Sequence, residues 1–273
     1  MNFLVQQQPA FVYNGGHSFE TNKPTIIFIH GAANDSSLWH ALLALTHIAA
    51  HNLIAVDLPG HGATFAVAKT RIEEYANWLI DLLDNGAIAN AILVGHSMGS
   101  LIAIDCARRY PKRVAGMVLI GTALPMPVAE KVLDMARNDV EAAYDMVTRA
   151  SFAVHKNADG SFINPSDAMA VAMKNHRAKL SKNNPSMLAT DMQACSEYQI
   201  NEEAIKCITA PTLVIIGEKD RMTSVDSGMA VSEALPNATH RIIAGAGHMM
   251  PIEAPSEIAD ALGIFVANVL LRG

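Results

Sequence analysis

Short apolar runs recur along the chain, and longer stretches with helical spacing of apolar residues separate them. The runs are rich in β-branched residues and hold few polar side chains, as expected for parallel strands that helices cover on both faces. The five clearest strands are predicted at residues 25–29, 53–56, 91–94, 117–120 and 212–216. Residues 240–244 make a sixth candidate, and the stretch from Phe11 to Phe19 is expected to supply an antiparallel edge hairpin.

Amphipathic helical patterns fill the intervals between the predicted strands. They cover residues 37–47, 72–84, 101–109, 225–235 and 255–271. The last pattern opens on Pro255-Ser256-Glu257, a common signal for the start of a helix. This regular alternation predicts an α/β fold with a doubly wound, mostly parallel sheet. In such a sheet the ligand binds outside the carboxyl ends of the strands.

The alternation stops between residues 124 and 198. This stretch has no strand-like run, and its pattern predicts several helices, at residues 128–136, 140–151, 166–180 and 185–197. Strand-like sequence returns directly after Pro211. We therefore interpret residues 124–198 as a helical cap insertion, and residues 1–123 together with 199–273 as one core domain.

The bulk composition argues against several classes of protein. The chain has 273 residues, a formal net charge of −6 and no cluster of Lys and Arg, so nucleic acid is not an expected partner. Its three cysteines show no CxxC spacing, which fits neither a disulfide framework nor a zinc site. The N-terminus lacks the features of a signal peptide, and no apolar stretch is long enough for a membrane span. A cytoplasmic protein is expected.

Gly95-His96-Ser97-Met98-Gly99 matches the motif G-x-S-x-G and falls between a predicted strand and a predicted helix. A serine at so sharp a turn needs a strained backbone, and the flanking glycines leave room for the strand and the helix to approach each other. The turn projects the hydroxyl into the cleft, and the helix directs its positive end toward it. Ser97 is therefore the predicted nucleophile.

A serine hydroxyl becomes a nucleophile when a base removes its proton, and His248 is the best placed of the eleven histidines. It follows the last candidate strand, in a loop at the carboxyl edge of the sheet. An acid must orient the imidazole, and Asp220 follows another strand at the same edge. Glu218 and Asp226 are rivals from that loop. His30 and His61 lie in tight turns, where we expect them to form structural hydrogen bonds.

The order of nucleophile, acid and base along the chain is that of the α/β-hydrolases. Over nearly its whole length the sequence resembles an α/β-hydrolase of the carboxylesterase/lipase type. The turn His30-Gly31-Ala32 resembles the family's oxyanion turn, and residues 57–62 resemble the loop after its fourth strand. The resemblance implies an oxyanion hole made by the backbone N–H groups of Ala32 and Met98. It also implies that the helical insertion is the family's cap, which roofs the site.

The predicted reaction is hydrolysis of a carboxylic ester through an acyl-Ser97 intermediate. His248 removes the serine proton, then protonates the leaving alcohol and later activates water, while Asp220 stays ionised. This chemistry requires no metal and no organic cofactor, and no cluster of Cys, His and Asp has ligand spacing. The expected partner is a small-molecule ester.

Three alternatives remain open at this stage. The first is hydrolysis of a carbon–carbon bond in a diketone-like acid. Met249 stands where carbon–carbon bond hydrolases of similar size usually carry tryptophan, which weakens the case for this reaction without excluding it. Perhydrolysis of the kind shown by haloperoxidase relatives is the second alternative. The third is a ligand-binding receptor or scaffold on the same fold, which turnover of an ester would distinguish from an enzyme.

Methionine is concentrated in the predicted insertion. Because its side chain is unbranched and adapts to differently shaped partners, we expect a deformable apolar roof over Ser97 that accepts several acyl chains. No pair of cations forms an evident fork for a substrate carboxylate in the insertion, where Arg137, Arg149 and Arg177 are the candidates. Half of the fourteen methionines lie there: Met126, Met135, Met146, Met169, Met173, Met187 and Met192.

Overall fold

The computed structural model describes residues 2–21, 23–46, 48, 51–156, 162–163, 167–184 and 186–270. Within these residues the strands are β1 Asn2–Val5, β2 Gln8–Tyr13, β3 Thr25–Ile29, β4 Asn52–Val56, β5 Ala91–His96, β6 Val114–Ile120, β7 His155–Lys156, β8 Phe162–Ile163, β9 Thr212–Gly217 and β10 Ala238–Ile243. Eight of them form one sheet in the order β1-β2-β4-β3-β5-β6-β9-β10. The strands from β4 to β10 in that order pair in parallel, and β1 and β2 are antiparallel at one edge.

Helices cover both faces of this sheet. They are α1 His40–Leu45, α2 Ile72–Asn85, α3 Met98–Arg109, α4 Glu130–Asn138, α5 Val140–Ser151, α6 Asp167–Asn183, α7 Met187–Glu197, α8 Glu202–Lys206, α9 Val225–Ala234, α10 Met250–Glu253 and α11 Pro255–Leu270. Residues of α2, α3 and α9 pack in one apolar layer, and those of α1, α10 and α11 pack in the other. The predicted doubly wound, mostly parallel sheet is confirmed.

Alternate side chains of each parallel strand enter different layers. In β3, Ile27 and Ile29 join the layer of α2 and α3, whereas Ile26 and Phe28 join the layer of α1 and α11. All five residues of β3 are buried. Because side chains alternate between faces with a period of two and both faces are covered, the interior positions of such a strand must be largely apolar. This requirement is the origin of the continuous apolar runs in the sequence.

The edge hairpin at the N-terminus differs from its prediction. It joins β1 to β2 through Gln6 and Gln7, both at positive φ, and β2 ends at Tyr13 instead of extending toward Phe19. Val12 and Tyr13 pair with Val56 and Ala55 of β4. The prediction was wrong because two glutamines form the turn without any of the usual turn residues.

Four helices, α4 to α7, occupy the interval between β6 and β9 where a helical insertion is predicted. Their bounds lie close to the predicted ones, and the predicted ends at residues 166 and 185 lie outside the described residues, as do residues 47 and 271 of two other predicted helices. A short antiparallel ribbon of β7 and β8 also lies in this interval, where no strand is predicted. With two residues in each strand, it is too short to produce an apolar run.

Close packing at the start of α3 generates a stability prediction. A Cβ atom added to Gly99 would lie 2.2 Å from the carbonyl oxygen of Ile29, whereas one added to Gly263 in α11 would meet nothing within 4 Å. We expect Gly99→Ala to lower the free energy of unfolding by about 1–3 kcal/mol or more, because the backbone of β3 must move. Gly263→Ala should raise it by up to ~1 kcal/mol through helix propensity. Urea unfolding of both variants checks this, and equal stabilities would contradict it.

Candidate active site

Ser97 lies at the turn between β5 and α3, with a left-handed backbone at φ 51° and ψ −118°. Its N–H donates to the Ile120 carbonyl at 2.9 Å, and its carbonyl accepts from the Ser100 N–H at 2.8 Å and from Ser100 Oγ at 2.6 Å. These bonds hold a conformation that costs a non-glycine residue about 1–3 kcal/mol. The turn exposes one side of Ser97 to a cavity, so its hydroxyl is accessible to a ligand.

Asp220 and His248 are hydrogen-bonded, with 2.8 Å between Asp220 Oδ2 and His248 Nδ1. Oδ2 also accepts from the Thr223 hydroxyl at 2.7 Å, and Oδ1 accepts from the N–H groups of Met222 and Thr223 at 2.8 and 2.9 Å. Burial raises the pKa of Asp220, but the His248 charge and these donors outweigh burial and hold the pKa below its ordinary value. An ionised carboxylate therefore faces Nδ1, which makes Nδ1 the protonated nitrogen and leaves Nε2 free to act as a base.

The two rival carboxylates have other surroundings. Glu218 Oε2 accepts from the Gly245 N–H at 2.9 Å, and Asp226 is exposed in the first turn of α9. Of the three carboxylates, Asp220 is the one that contacts His248.

The loop that carries His248 is attached to the end of α5. The His248 N–H donates to the Ser151 carbonyl at 2.7 Å. The Glu253 carboxylate accepts from the Gly247 N–H at 3.0 Å and from the Ala153 N–H at 2.7 Å, which ties the two chain segments together. The position of the candidate base therefore depends on the segment between β6 and β9.

His96 precedes Ser97 but forms its hydrogen bond with the backbone of His248. Its Nε2 lies 2.9 Å from the His248 carbonyl, which can only accept, so Nε2 carries the proton. Burial, with the charge of His248, lowers the pKa of His96 to about 3, and the ring is neutral. The two rings pack at 4.8 Å between centroids. His96 therefore supports the backbone of His248 and does not line the cavity.

The His30–Ala33 turn follows β3 and borders Ser97. His30 Nε2 accepts from the Leu58 N–H at 3.1 Å, so its Nδ1 carries the proton and donates to the Gly31 carbonyl at 2.8 Å. Burial, with the charge of His61, lowers the pKa of His30 to about 3. The structural role expected for His30 is confirmed. The next carbonyl, of Ala32, accepts from Asn34 Nδ2 at 2.9 Å.

Asp191 of α7 reaches this turn and was not found by sequence reasoning. Its Oδ2 accepts from the Ala33 N–H and from His61 Nε2, both at 2.8 Å, and its Oδ1 accepts from the Tyr75 hydroxyl at 3.3 Å. The structural role expected for His61 is confirmed, since its Nδ1 lies 3.0 Å from the Pro59 carbonyl. The available sequence signal is weak: a carboxylate on the apolar face of a predicted helix, beside Leu188 and Met192.

A cavity of about 300 Å³ lies between the carboxyl ends of the strands and the helices α4, α5 and α7. Ala32, Ser97 and His248 form its floor, and mostly apolar side chains form its walls. Three of the seven methionines of the predicted insertion line it, Met126, Met146 and Met192, and Met222 joins them from the Asp220 loop. Met135, Met173 and Met187 belong to the apolar layers instead, and the side chain of Met169 lies outside the described part of the chain.

Arg177 of α6 is a buried cation, exposed by 2%. Its Nη1 donates to Thr148 Oγ1 at 3.0 Å, and within the described residues no carboxylate forms an ion pair with it. Burial lowers the pKa of Arg177 to about 10. Its charge acts on His96, so it lies within electrostatic range of the residue beside Ser97. By contrast, Arg137 and Arg149 pair with nearby carboxylates on exposed helix faces.

The described residues hold no group of three or more His, Cys, Asp or Glu side chains that could bind a metal ion. None of their helices combines the length and the apolar composition that crossing a membrane requires.

Comparison with known proteins gives one family and several relatives. The model of the alpha/beta hydrolase fold family matches residues 24–255. A 2-hydroxy-6-oxononadienedioate/2-hydroxy-6-oxononatrienedioate hydrolase of Paraburkholderia phymatum is 27% identical over 244 residues, which are 83% of this chain and 81% of that protein. A biotin biosynthesis bifunctional protein of Teredinibacter turnerae is 25% identical over 271 residues, which are 90% of this chain and 45% of that protein. This chain therefore spans less than half the length of the bifunctional relative.

A solved structure of a thermophilic esterase has the same fold. It superposes with a TM-score of 0.81 at 25% sequence identity, and the match covers 98% of this chain and 97% of the other.

Substitution of the loop carboxylates tests the assignment of the acid. We expect Asp220→Asn to lower kcat for an ester about 10²–10⁴-fold, because an amide no longer enforces the His248 tautomer. Glu218→Gln and Asp226→Asn are matched controls close to Asp220 in the chain and should each cost less than about tenfold, since neither group contacts His248. Steady-state kinetics on the three variants gives the ranking. A larger loss in either control than in Asp220→Asn would move the acid to that position.

Proposed function

We propose that this chain, which belongs to the alpha/beta hydrolase fold family, hydrolyses carboxylic esters of short to medium acyl chains through an acyl-serine intermediate. The observation that carries the proposal is the hydrogen bond between Asp220 and His248 beside a cavity that Ser97 also lines. A carboxylate that fixes the imidazole tautomer, next to a cavity-lining serine on a strained turn, is the arrangement that activates a hydroxyl.

In the proposed reaction His248 Nε2 takes the Ser97 proton as Oγ attacks the ester carbonyl. The negative charge that develops on the carbonyl oxygen is met by the backbone N–H groups of Ala32 and Met98. Met98 begins α3, so its N–H is one of the first-turn donors without a helical acceptor. His248 then protonates the leaving alcohol, and in the second half it activates the water that releases the acid and restores Ser97.

We assign the roof of the site to the helical segment at residues 124–198, as a cap over a core of residues 1–123 and 199–273. Support comes from the cavity walls, to which this segment contributes Val128, Val132, Val147 and Ala150 besides its methionines. An apolar wall strengthens polar interactions at the reacting carbonyl because it limits access of water.

The size and lining of the cavity support the proposed acyl range. About 300 Å³ is at the lower end for small-molecule sites, which suits short and medium acyl chains better than triglycerides. Methionine walls adjust to chains of different length. The similarity to a thermophilic esterase supports the same class of substrate.

A chain-length series tests the proposed function. We expect kcat/KM for acetyl to hexanoyl p-nitrophenyl esters to stay within about a hundredfold, because each methylene contributes at most ~1 kcal/mol in an apolar pocket. Long-chain triglycerides should be poor substrates. Ser97→Ala is the control and should lower kcat by roughly 10³-fold or more while the protein stays folded.

Three outcomes would contradict the proposal. Sharp selection of a single chain length would contradict the proposal of an adaptable pocket. More than a tenth of wild-type activity in Ser97→Ala would contradict the assignment of Ser97 as the nucleophile. A single burst followed by a persistent adduct, in place of multiple turnovers, would favour a receptor on the same fold.

The second candidate function is hydrolysis of an acid-bearing substrate at a carbon–carbon bond. The observation that favours it is Arg177, a buried guanidinium with no carboxylate partner within the described residues, which bonds to Thr148 of the cavity-lining helix α5. A buried cation of this kind is stabilised when a ligand anion pairs with it. The similarity to the dienedioate hydrolase supports an acidic substrate, since its substrate names denote dicarboxylates.

A pair of esters that differ in one carboxylate tests Arg177. If the second candidate is correct, Arg177→Met raises KM for mono-p-nitrophenyl glutarate at least about tenfold, because the terminal carboxylate loses a charged partner. The same variant should change KM for p-nitrophenyl butyrate less than about threefold. Equal effects on both esters would assign Arg177 a structural role and remove the second candidate.

A further inference from the structure

The buried carboxylate of Asp191 joins α7 to three separate parts of the core. It is fully buried and contacts the backbone of the His30–Ala33 turn, the imidazole of His61 and the hydroxyl of Tyr75. These partners lie 116 to 158 residues away in the chain. No other carboxylate within the described residues contacts that turn's backbone, and the reaction proposed above does not use Asp191 chemically.

The backbone bond to Ala33 acts on the peptide that follows the proposed oxyanion donor. The Ala32 N–H belongs to the peptide that His30 fixes through the Gly31 carbonyl. The peptide between Ala32 and Ala33 is held on one side by Asn34 and on the other by Asp191. Fixing both peptides determines the backbone of Ala32, and with it the direction of its N–H.

We propose that Asp191 is a positioning residue that holds the His30–Ala33 turn in the shape that presents the Ala32 N–H to the substrate carbonyl. This inference rests on the proposed function, because it assigns the turn to the oxyanion hole. It places part of the catalytic geometry under the control of α7, so the segment between β6 and β9 does more than cover the cavity.

Backbone strain explains why the turn needs this support. Ala33 has φ of 51° and is completely buried, and a left-handed alanine persists only where its surroundings hold it. The bond from its N–H to a carboxylate is charge-assisted and stronger than a bond to a neutral acceptor. Without that acceptor the buried N–H would lack a partner, which costs free energy. Rotation of the peptide toward another acceptor would then become favourable.

His61 pairs with the Asp191 carboxylate. Both nitrogens of His61 face acceptors, the Pro59 carbonyl and Asp191 Oδ2, so both can donate only when the ring is protonated. Burial lowers the pKa of His61, but the Asp191 charge and these hydrogen bonds outweigh burial and raise it. The result is a buried ion pair whose carboxylate has a second donor in Ala33.

Two variants of Asp191 separate positioning from packing. Asp191→Ala removes the acceptor, whereas Asp191→Asn keeps an oxygen of the same reach and should retain at least about a third of wild-type kcat. For Asp191→Ala we expect kcat for p-nitrophenyl butyrate to fall about 10–100-fold with KM within threefold, since loss of an oxyanion donor acts on the transition state.

The second readout uses an alkyl trifluoromethyl ketone as the probe. The Ser97 hydroxyl adds to its carbonyl, His248 takes the proton, and the resulting oxyanion occupies the hole. The inhibition constant of the ketone should rise by the same factor as kcat falls.

His176→Ala is the matched control. It removes the contact of 3.2 Å between α6 and Asp35, which also joins the segment to the core just after the turn, without touching the Ala33 peptide. We expect it to change kcat and the inhibition constant less than threefold. If Asp191→Ala is poorly folded, Asp191→Leu fills nearly the same volume without an acceptor. The inhibition constant and KM do not depend on the fraction of active protein, so a partly folded sample still gives an answer.

Each outcome decides for or against the inference. A rise in the inhibition constant parallel to the loss of kcat, rescued in Asp191→Asn, supports it. A folded Asp191→Ala with kcat within threefold of wild type overturns it, and so does a lower kcat with an unchanged inhibition constant. Failure of the proposed function looks different: wild type itself would not turn over esters, and Ser97→Ala would bind the ketone as tightly as wild type.

Discussion

A left-handed backbone at a residue other than glycine costs about 1–3 kcal/mol, and at Ser97 the surrounding structure must supply that energy. It does so through the bonds of Ser97 to Ile120 and Ser100, and through the missing side chains at Gly95 and Gly99. A Cβ on Gly95 would lie 2.2 Å from the Gly99 carbonyl, so strand and helix approach as closely as backbone atoms permit. The access of the hydroxyl to the cavity depends on this constraint, and the loops of the site are arranged around a serine whose backbone is held by these contacts.

Two of these loops are attached to the same segment of the chain. The His248 loop bonds to the carbonyl of Ser151 at the end of α5, and the His30–Ala33 turn bonds to Asp191 of α7. Loops at the carboxyl edge of a sheet have few internal backbone bonds and therefore depend on such contacts for their shape. Because the segment holds both loops, a change in its packing would move the candidate base and the candidate oxyanion donor together.

The sequence predicts the sheet, Ser97 and Asp220 for one physical reason. Parallel strands buried on both faces must be largely apolar, so β5 and β9 stand out, and the residues that follow them lie at one edge. His248 follows β10, an edge strand with exposed positions, and is predicted from its place in the loop after the last candidate strand. Asp191 could not be predicted, because its partners are brought together only when α7 packs on the core. The N-terminal hairpin was missed because its turn is formed by Gln6 and Gln7.

The two faces of α5 bear on the choice between the proposed functions. Met146 and Ala150 line the cavity, whereas Thr148, which binds Arg177, lies about 200° around the helix from both, at 100° per residue. Arg177 is not among the residues that line the apolar cavity containing Ser97. A neutral ester needs only that cavity, while an acid-bearing substrate must also reach the buried side of α5. Binding of a neutral ester needs only the cavity that the structure shows, and for that reason we place ester hydrolysis first.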